Sequence, residues 1–190
     1  MPAELSLTEI ARLLGVPQHR LIYLCEKGGV VPDFGDAEGR GSSRLFSTWN
    51  LLELAIALHL RRLGLGARLI AGLLHALREF QRTRCGGAGP ADFLGSLLQP
   101  EAEEVGLVVR DGESVFFTLR SADGTSRTLG GIALGRLSGV GRPRLRRSDF
   151  EEIGAAEMPG TSPHGRPAGS GRVRLEVDVT AIARGLQIEE

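Results

Sequence analysis

The chain has 190 residues, 42% of them hydrophobic and 24% charged, with a formal net charge of zero, which is the composition of a soluble globular protein. Its longest apolar stretch, residues 51–60, is interrupted by Glu53 and is far shorter than the roughly 20 residues of a membrane helix. Two isolated cysteines do not make a disulfide framework, and the first residues lack a signal-peptide pattern, so we expect a cytoplasmic protein with no membrane contact.

Helical patterns dominate the first half of the chain. Residues 6–9, Ser-Leu-Thr-Glu, have the form of a capping box at the start of a first helix, which Gly15 ends. Pro17 suits the first turn of a second helix, because a missing backbone N–H costs nothing there. That helix is predicted to run to about Lys27, where two glycines stop it.

A charged, glycine-containing loop over residues 32–43 separates this helix pair from two longer helices. Residues 44–46, Arg-Leu-Phe, are predicted to form a short extended piece after the loop. Apolar periodicity then predicts a third helix over residues 50–63 and a fourth over residues 67–84.

The periodicity changes after a cluster of glycines and a proline at residues 85–90. Beyond this cluster we predict an antiparallel meander of three strands, because the runs are β-rich and the turns between them contain Asp-Gly. The runs are residues 104–110, 114–120 and 126–134. Residues 135–171 are rich in Gly, Pro, Arg and Ser and are expected to be a flexible linker. A strand over residues 172–179 and a short helix should follow.

The expected fold is therefore α+β: an N-terminal winged helix-turn-helix of four helices and a small wing, followed by a small antiparallel β domain with a C-terminal strand and helix. The predicted divisions are residues 1–85 for the winged helix-turn-helix, 86–134 for the meander, 135–171 for the linker and 172–190 for the closing strand and helix. A fragment ending near Arg84 is expected to fold alone.

Two short helices joined by a tight turn have the geometry that lets the second helix enter a major groove of DNA. Gln18, His19 and Arg20 lie at the start of that helix, where side chains of a reading helix meet base edges. The loop that follows carries hydroxyl and guanidinium groups suited to phosphate oxygens, namely Arg40, Ser42, Ser43 and Arg44. We interpret these residues as a DNA-binding set.

The order of these segments resembles the MerR family of transcription regulators. The similar segments are LSLTEIARLLGV at residues 5–16, GVPQHRLIYLCEKGGVVP at 15–32, GRGSSRLFS at 39–47 and NLLELAIALHLRRLGL at 50–65. The resemblance implies that Tyr23 approaches a phosphate, that Arg44 is the wing arginine and that Phe46 is the packing aromatic beside it. It also implies a homodimer on double-stranded DNA, with RNA polymerase as a candidate further partner.

The fourth helix is the predicted dimer seam. Its apolar stripe is wider than the roughly 100° that one core needs, so part of the stripe should remain for a partner. The residues assigned to dimerisation are Leu69, Leu73, Leu77 and Phe80. MerR-like proteins resemble one another in pairing through a helix that follows this domain, which supports the assignment.

No catalytic motif is found, and neither an enzyme activity nor a cofactor is expected. Cys25 is interpreted as a small buried hydrophobe, and Cys85 lacks the neighbouring thiols or imidazoles of a metal sensor, so no metal site is expected. Four arginines within residues 142–147 indicate either a solubilising linker or an auxiliary phosphate contact.

The sequence therefore predicts a sequence-specific DNA-binding transcription regulator that acts as a homodimer. An alternative is a MerR-like protein-docking module whose β domain is the main interaction surface. A DNA-architectural role, similar to that of excisionase-like proteins, is a third possibility.

Overall fold

The computed structural model describes residues 4–34, 44–84, 89–137, 143–154 and 174–186. Within these ranges the chain has an α+β fold, as predicted, with helices first and an antiparallel sheet after them. The helices are α1 (Leu7–Leu13), α2 (Gln18–Lys27), α3 (Thr48–Arg62), α4 (Ala67–Arg84), α5 (Pro90–Leu98), α6 (Leu134–Leu137) and α7 (Val179–Gly185). The strands are β1 (Leu5–Ser6), β2 (Leu45–Phe46), β3 (Glu104–Arg110), β4 (Ser114–Arg120), β5 (Ser126–Ala133) and β6 (Arg174–Asp178).

The predicted capping box at the start of α1 is present. Ser6 Oγ accepts a hydrogen bond from the Glu9 amide at 3.3 Å, and the Glu9 carboxylate accepts one from the Ser6 amide at 2.8 Å. Gly15 has a φ of +61°, a left-handed conformation that lets the chain turn sharply from α1 into α2. The helix-turn-helix thus follows from local sequence signals.

Helices α3 and α4 carry most of the N-terminal core. Helix α3 begins two residues before its predicted start because Ser47 caps it, with Ser47 Oγ accepting from the Asn50 amide at 3.1 Å. Helix α4 has the bounds that its periodicity predicts. A two-stranded sheet of β1 and β2 lies beside them, and β2 returns from the loop that the sequence identifies as the wing.

The second sheet has the strand order β5-β4-β3-β6, and all its pairs are antiparallel. The predicted meander is therefore present, and the predicted C-terminal strand pairs with β3. Asp111 and Gly112 have left-handed φ values of 53° and 67° at the centre of the tight turn between β3 and β4, which is closed by the Glu113 amide donating to the Arg110 carbonyl at 2.9 Å. Helix α7 follows β6, with Asp178 Oδ1 accepting from the Ala181 amide at 2.7 Å.

The stretch before the meander contains a helix that the sequence analysis missed. Helix α5 has Pro90 in its first turn, and Asp92 accepts a hydrogen bond from the Gly89 amide at 2.9 Å. The glycines and the proline at residues 85–90 were interpreted as a break, and no helix was assigned after them. The buried face of α5 is nevertheless formed by Phe93, Leu94 and Leu97. This segment is therefore helix followed by strands.

Part of the predicted linker is fixed in place. Residues 143–145, which we call the strap, lie along α4. His75 Nε2 donates to the Pro143 carbonyl at 2.9 Å, Arg82 donates to the Leu145 carbonyl at 2.7 Å, and Glu79 accepts from the Leu145 amide at 2.8 Å. The linker prediction is wrong for these residues, because a polar composition does not reveal the long-range hydrogen bonds that hold them against α4. Residues 138–142 and 155–171 of that prediction lie outside the described residues.

The strap predicts an acid-dependent loss of stability. Partial burial alone would raise the pKa of Glu79, but the hydrogen bonds from Arg82 and the Leu145 amide outweigh it and hold that pKa below its usual value. A lowered folded-state pKa stabilises the protein above the unfolded pKa, and this stability is lost as pH falls through the folded pKa. The free energy of unfolding should therefore fall less steeply in Glu79→Gln than in the parent between about pH 5 and 3.

Denaturant titrations at several pH values measure this difference. Glu101→Gln is the matched control, because Glu101 is exposed and has no ion pair among the described residues. If the free energy of unfolding falls equally steeply with pH in the parent, in Glu79→Gln and in Glu101→Gln, the hydrogen bonds of Glu79 to the strap do not stabilise the fold.

The core runs without a break from α3 and α4 into the second sheet. The Phe80 ring stacks on the Phe117 ring, with centroids 4.2 Å apart and planes within 5°, and meets Phe93 and Phe150 edge-on. Leu73, Leu77 and Phe80 are 0% exposed. Helices α2, α3, α5 and α6 of the same chain pack on α4, and Phe80 stacks on Phe117 of the second sheet, so the wide stripe is covered within the chain.

This packing corrects the predicted dimer seam. Three of its four residues, Leu73, Leu77 and Phe80, have no surface left for a partner, and Leu69 is half-buried against the same core. The stripe is as wide as predicted, but the second layer that covers it comes from the same chain.

Within the described ranges no helix is long and apolar enough to cross a membrane.

Candidate nucleic-acid interface

The exposed side of α2 carries the predicted reading residues. Gln18, His19, Arg20 and Tyr23 are all exposed, while Leu21 and Leu24 on the opposite side are buried in the core. Pro17 precedes the helix in an extended conformation and provides no side-chain cap; its carbonyl accepts from the Arg20 amide at 3.0 Å, so the amides of Gln18 and His19 are left for other acceptors. The start of α2 can therefore approach a polyanion with both side chains and backbone donors.

A cleft of about 650 Å³ lies between α2 and the end of α3. Its lining combines an apolar floor with a rim of imidazole, phenol and guanidinium groups. The floor is formed by Val16, Leu24 and Leu58, and the rim by His19, Arg20, Tyr23, Arg61 and Arg62. The rim contains no carboxylate, so its charge is positive.

Arg61 is the best-fixed residue of the rim. Its guanidinium carbon lies 5.9 Å from the centre of the Tyr23 ring, and its Nη1 donates to the Leu65 carbonyl at 3.0 Å. The sequence analysis assigned no role to Arg61 or Arg62. Tyr23 and Arg61 meet through tertiary packing, so no local spacing could have paired them.

The wing is described only at its two ends. Phe34 and Leu45 exchange both backbone hydrogen bonds at 3.2 Å, which closes the loop at its base. Arg44 directly precedes this pair and is exposed. The other predicted wing residues, Arg40, Ser42 and Ser43, lie outside the described residues.

A set of hydrogen-bonded polar groups, of which Ser47, Asn50 and Glu53 are buried, fixes the base of the wing. We call it the Asn50 network; its members are Val31, Asp33, Ser47, Asn50 and Glu53. Asn50 Oδ1 accepts from the amides of Asp33 and Ser47 at 2.9 and 3.2 Å. Asn50 Nδ2 donates to the Val31 carbonyl at 3.0 Å and to Glu53 at 3.1 Å. Ser47 Oγ also donates to the Asp33 carboxylate. Every hydrogen-bonding position of the Asn50 amide is thus used.

Glu53 ends this network inside the core. It is 0% exposed, and burial raises the pKa of its carboxyl group, an effect that the guanidinium of Arg78 opposes. Arg78 on α4 donates to both carboxylate oxygens, one of these bonds being 2.7 Å long. A buried carboxylate is tolerated only with such a partner.

The cysteine in α2 has the character of a packing residue. Cys25 is half-buried beside the core, and burial raises the pKa of its thiol to about 11, so it is protonated and unreactive at neutral pH. Cys85 lies outside the described residues. The part of the chain that the structure describes contains no group of three His, Cys, Asp or Glu side chains that could hold a metal ion.

Comparison with known families agrees with this geometry. The family model of the MerR HTH family regulatory protein matches residues 5–77, which contain α1, α2, the wing ends, α3 and the first half of α4. Searches of curated proteins and of solved structures returned no significant match. Over residues 5–77 the chain is therefore similar to the helix-turn-helix domain of the MerR family of regulatory proteins.

Proposed function

We propose that the protein binds double-stranded DNA sequence-specifically and regulates transcription. The observation that carries this proposal is the cleft between α2 and α3, where the exposed start of α2 lies beside Arg61 and Arg62 on one positively charged rim. Gln18 and Arg20 have the donors and acceptors to read adenine and guanine edges. A regulatory family supports this role over the protein-docking alternative, and no catalytic role is proposed.

The remaining residues divide between base and backbone contacts. His19 lies among the reading residues at the start of α2, and Tyr23, Arg44 and Arg61 are assigned to phosphate oxygens. Arg40, Ser42 and Ser43 are proposed as additional phosphate contacts from the wing. Phosphate contacts fix the protein on the duplex, and base contacts then select the sequence.

Three finer features belong to the proposal. A homodimer would present two copies of α2 to two half-sites, which is how helix-turn-helix proteins read more than a few base pairs. Its interface lies outside the buried stripe of α4. The site of action is the cytoplasm, with promoter-bound RNA polymerase as the candidate partner.

Removing the backbone arginines should weaken binding to every sequence. Arg44→Ala and Arg61→Ala are each expected to lower the affinity for duplex DNA by about tenfold, because each loses one charged hydrogen bond to a phosphate. The slope of log K against log[salt] should also become shallower by about 0.9 per lost contact. Fluorescence anisotropy with a short labelled duplex of mixed sequence, over a salt series, measures both quantities.

Arg120→Ala is the matched control, because Arg120 is a highly exposed arginine on the second sheet with only a 3.7 Å ion pair to Glu104. Its affinity and salt slope should equal those of the parent. If Arg44→Ala and Arg61→Ala bind no more weakly than Arg120→Ala, the wing and the cleft are not the DNA-binding surface.

A further inference from the structure

The ion pair between Glu53 and Arg78 has no part in the binding surface itself. Glu53 is fully enclosed, and the Arg78 side chain is 29% exposed at the surface of α4. Well-packed apolar side chains often stabilise a core as well as a buried ion pair does. The pair therefore needs an explanation other than stability, and its neighbours supply one.

The Asn50 network connects this pair to both ends of the wing. From Glu53 the hydrogen bonds pass through the Asn50 amide to Asp33 on the outgoing side of the loop and to Ser47 on the returning side. The Phe34–Leu45 pair lies between these two points and Arg44. Glu53 is the side-chain acceptor that helps to fix the orientation of Asn50: like the Val31 carbonyl, its carboxylate accepts from Nδ2, while the amides of Asp33 and Ser47 donate to Oδ1.

We infer that Arg78 is a positioning residue for DNA binding: it holds Glu53 and Asn50 in the arrangement that places Arg44 against a phosphate. This inference rests on the proposed function and names a residue of α4 that touches no DNA. The bidentate guanidinium fixes both carboxylate oxygens, which a single-point cation cannot do. Without it, the Glu53 carboxylate is no longer held in place, and Asn50 loses one of its four fixed partners at the base of the wing.

The residues of α4 that follow Arg78 also bind the strap. Glu79, the residue after Arg78, accepts from the Leu145 amide, and Arg82 donates to the Leu145 carbonyl. Adjacent residues of one helix thus hold the wing base on one side and the C-terminal half of the chain on the other.

The test compares DNA affinity in variants that remove the pair in two ways. Arg78→Met leaves the Glu53 carboxylate without its partner, whereas the double variant Glu53→Leu, Arg78→Met removes both charges and keeps the core apolar. Both are measured by anisotropy with the labelled mixed-sequence duplex over a salt series, and their folding by thermal denaturation. We expect binding about tenfold weaker than in the parent and a salt slope shallower by about 0.9, as for Arg44→Ala.

Combination with Arg44→Ala separates positioning from general damage. If Arg78 acts through Arg44, adding Arg44→Ala to the charge-free variant weakens binding by less than about twofold more, because the contact is already lost. The inference is overturned if the folded charge-free variant binds as tightly as the parent, or if the two effects simply add. Absence of DNA binding by the parent itself would instead overturn the proposed function, so the two failures are distinguishable.

Discussion

Replacing Phe80 by alanine is expected to lower the free energy of unfolding by about 3–5 kcal/mol. Phe80 is fully buried and its ring contacts the rings of Phe93, Phe117 and Phe150, which belong to α5, β4 and the segment after the strap. The alanine would leave a cavity where three elements meet, and such a site cannot collapse without moving a strand or a helix. Denaturant unfolding, followed by circular dichroism, measures the loss.

Leu98→Ala is the control for this experiment, since Leu98 on α5 is 40% exposed and a surface substitution changes stability by only about 0.5 kcal/mol. A change of less than about 1 kcal/mol in Phe80→Ala would contradict the continuous core, because it would mean that the ring contacts are replaceable by water or by small movements.

A fragment ending at Arg84 is expected to lose its cooperative fold, which reverses the expectation from the sequence. The fragment keeps α1 to α4 but lacks Phe93, Phe117 and Phe150, whose rings contact Phe80, and it lacks α6, which packs on α4. Burial of one large apolar side chain contributes about 1.5–3 kcal/mol, so the loss of this cover is a large part of the roughly 5–15 kcal/mol that stabilises a whole domain. Helices without this cover should unfold gradually on heating.

Trp49 gives this truncation experiment a specific signal. It is the single tryptophan of the chain, it is 3% exposed, and its ring meets the Phe93 ring of α5 edge-on at 5.8 Å. Its emission should shift to longer wavelength in the fragment because α5 is absent. A fragment ending at Leu186, which keeps every described element, should match the parent; a sharp thermal transition in the shorter fragment would show that residues 5–84 form an independent domain.

Local signals made much of the fold predictable. The Ser6–Glu9 capping box and the Asp111–Gly112 turn each depend on residues that are neighbours in the chain, so both could be predicted from the local sequence alone. The α4 periodicity likewise gave the correct helix bounds. Helix α1 and the turn at Gly15 directly precede α2, so the start of α2 could be predicted from the sequence.

Long-range contacts explain what the sequence did not reveal. The strap is held by hydrogen bonds between residues more than sixty positions apart, and the Tyr23–Arg61 contact joins two helices. The α4 stripe was correctly identified as too wide for one core, but nothing in its spacing distinguishes a partner subunit from the chain's own sheet. Glu53 could have predicted a buried ion pair from the sequence, because a single carboxylate within an apolar helix is seldom buried without a partner.

The central claim, sequence-specific binding of duplex DNA, is tested most directly by selection. The intact protein is mixed with a pool of random-sequence duplexes at moderate salt, and the bound fraction is recovered, amplified and sequenced over several rounds. We expect the bound pool to contain a recurring motif, with two inverted copies if the protein binds as a homodimer. The motif should be retained when competitor DNA of mixed sequence is added. A final pool with the sequence statistics of the starting pool would contradict it.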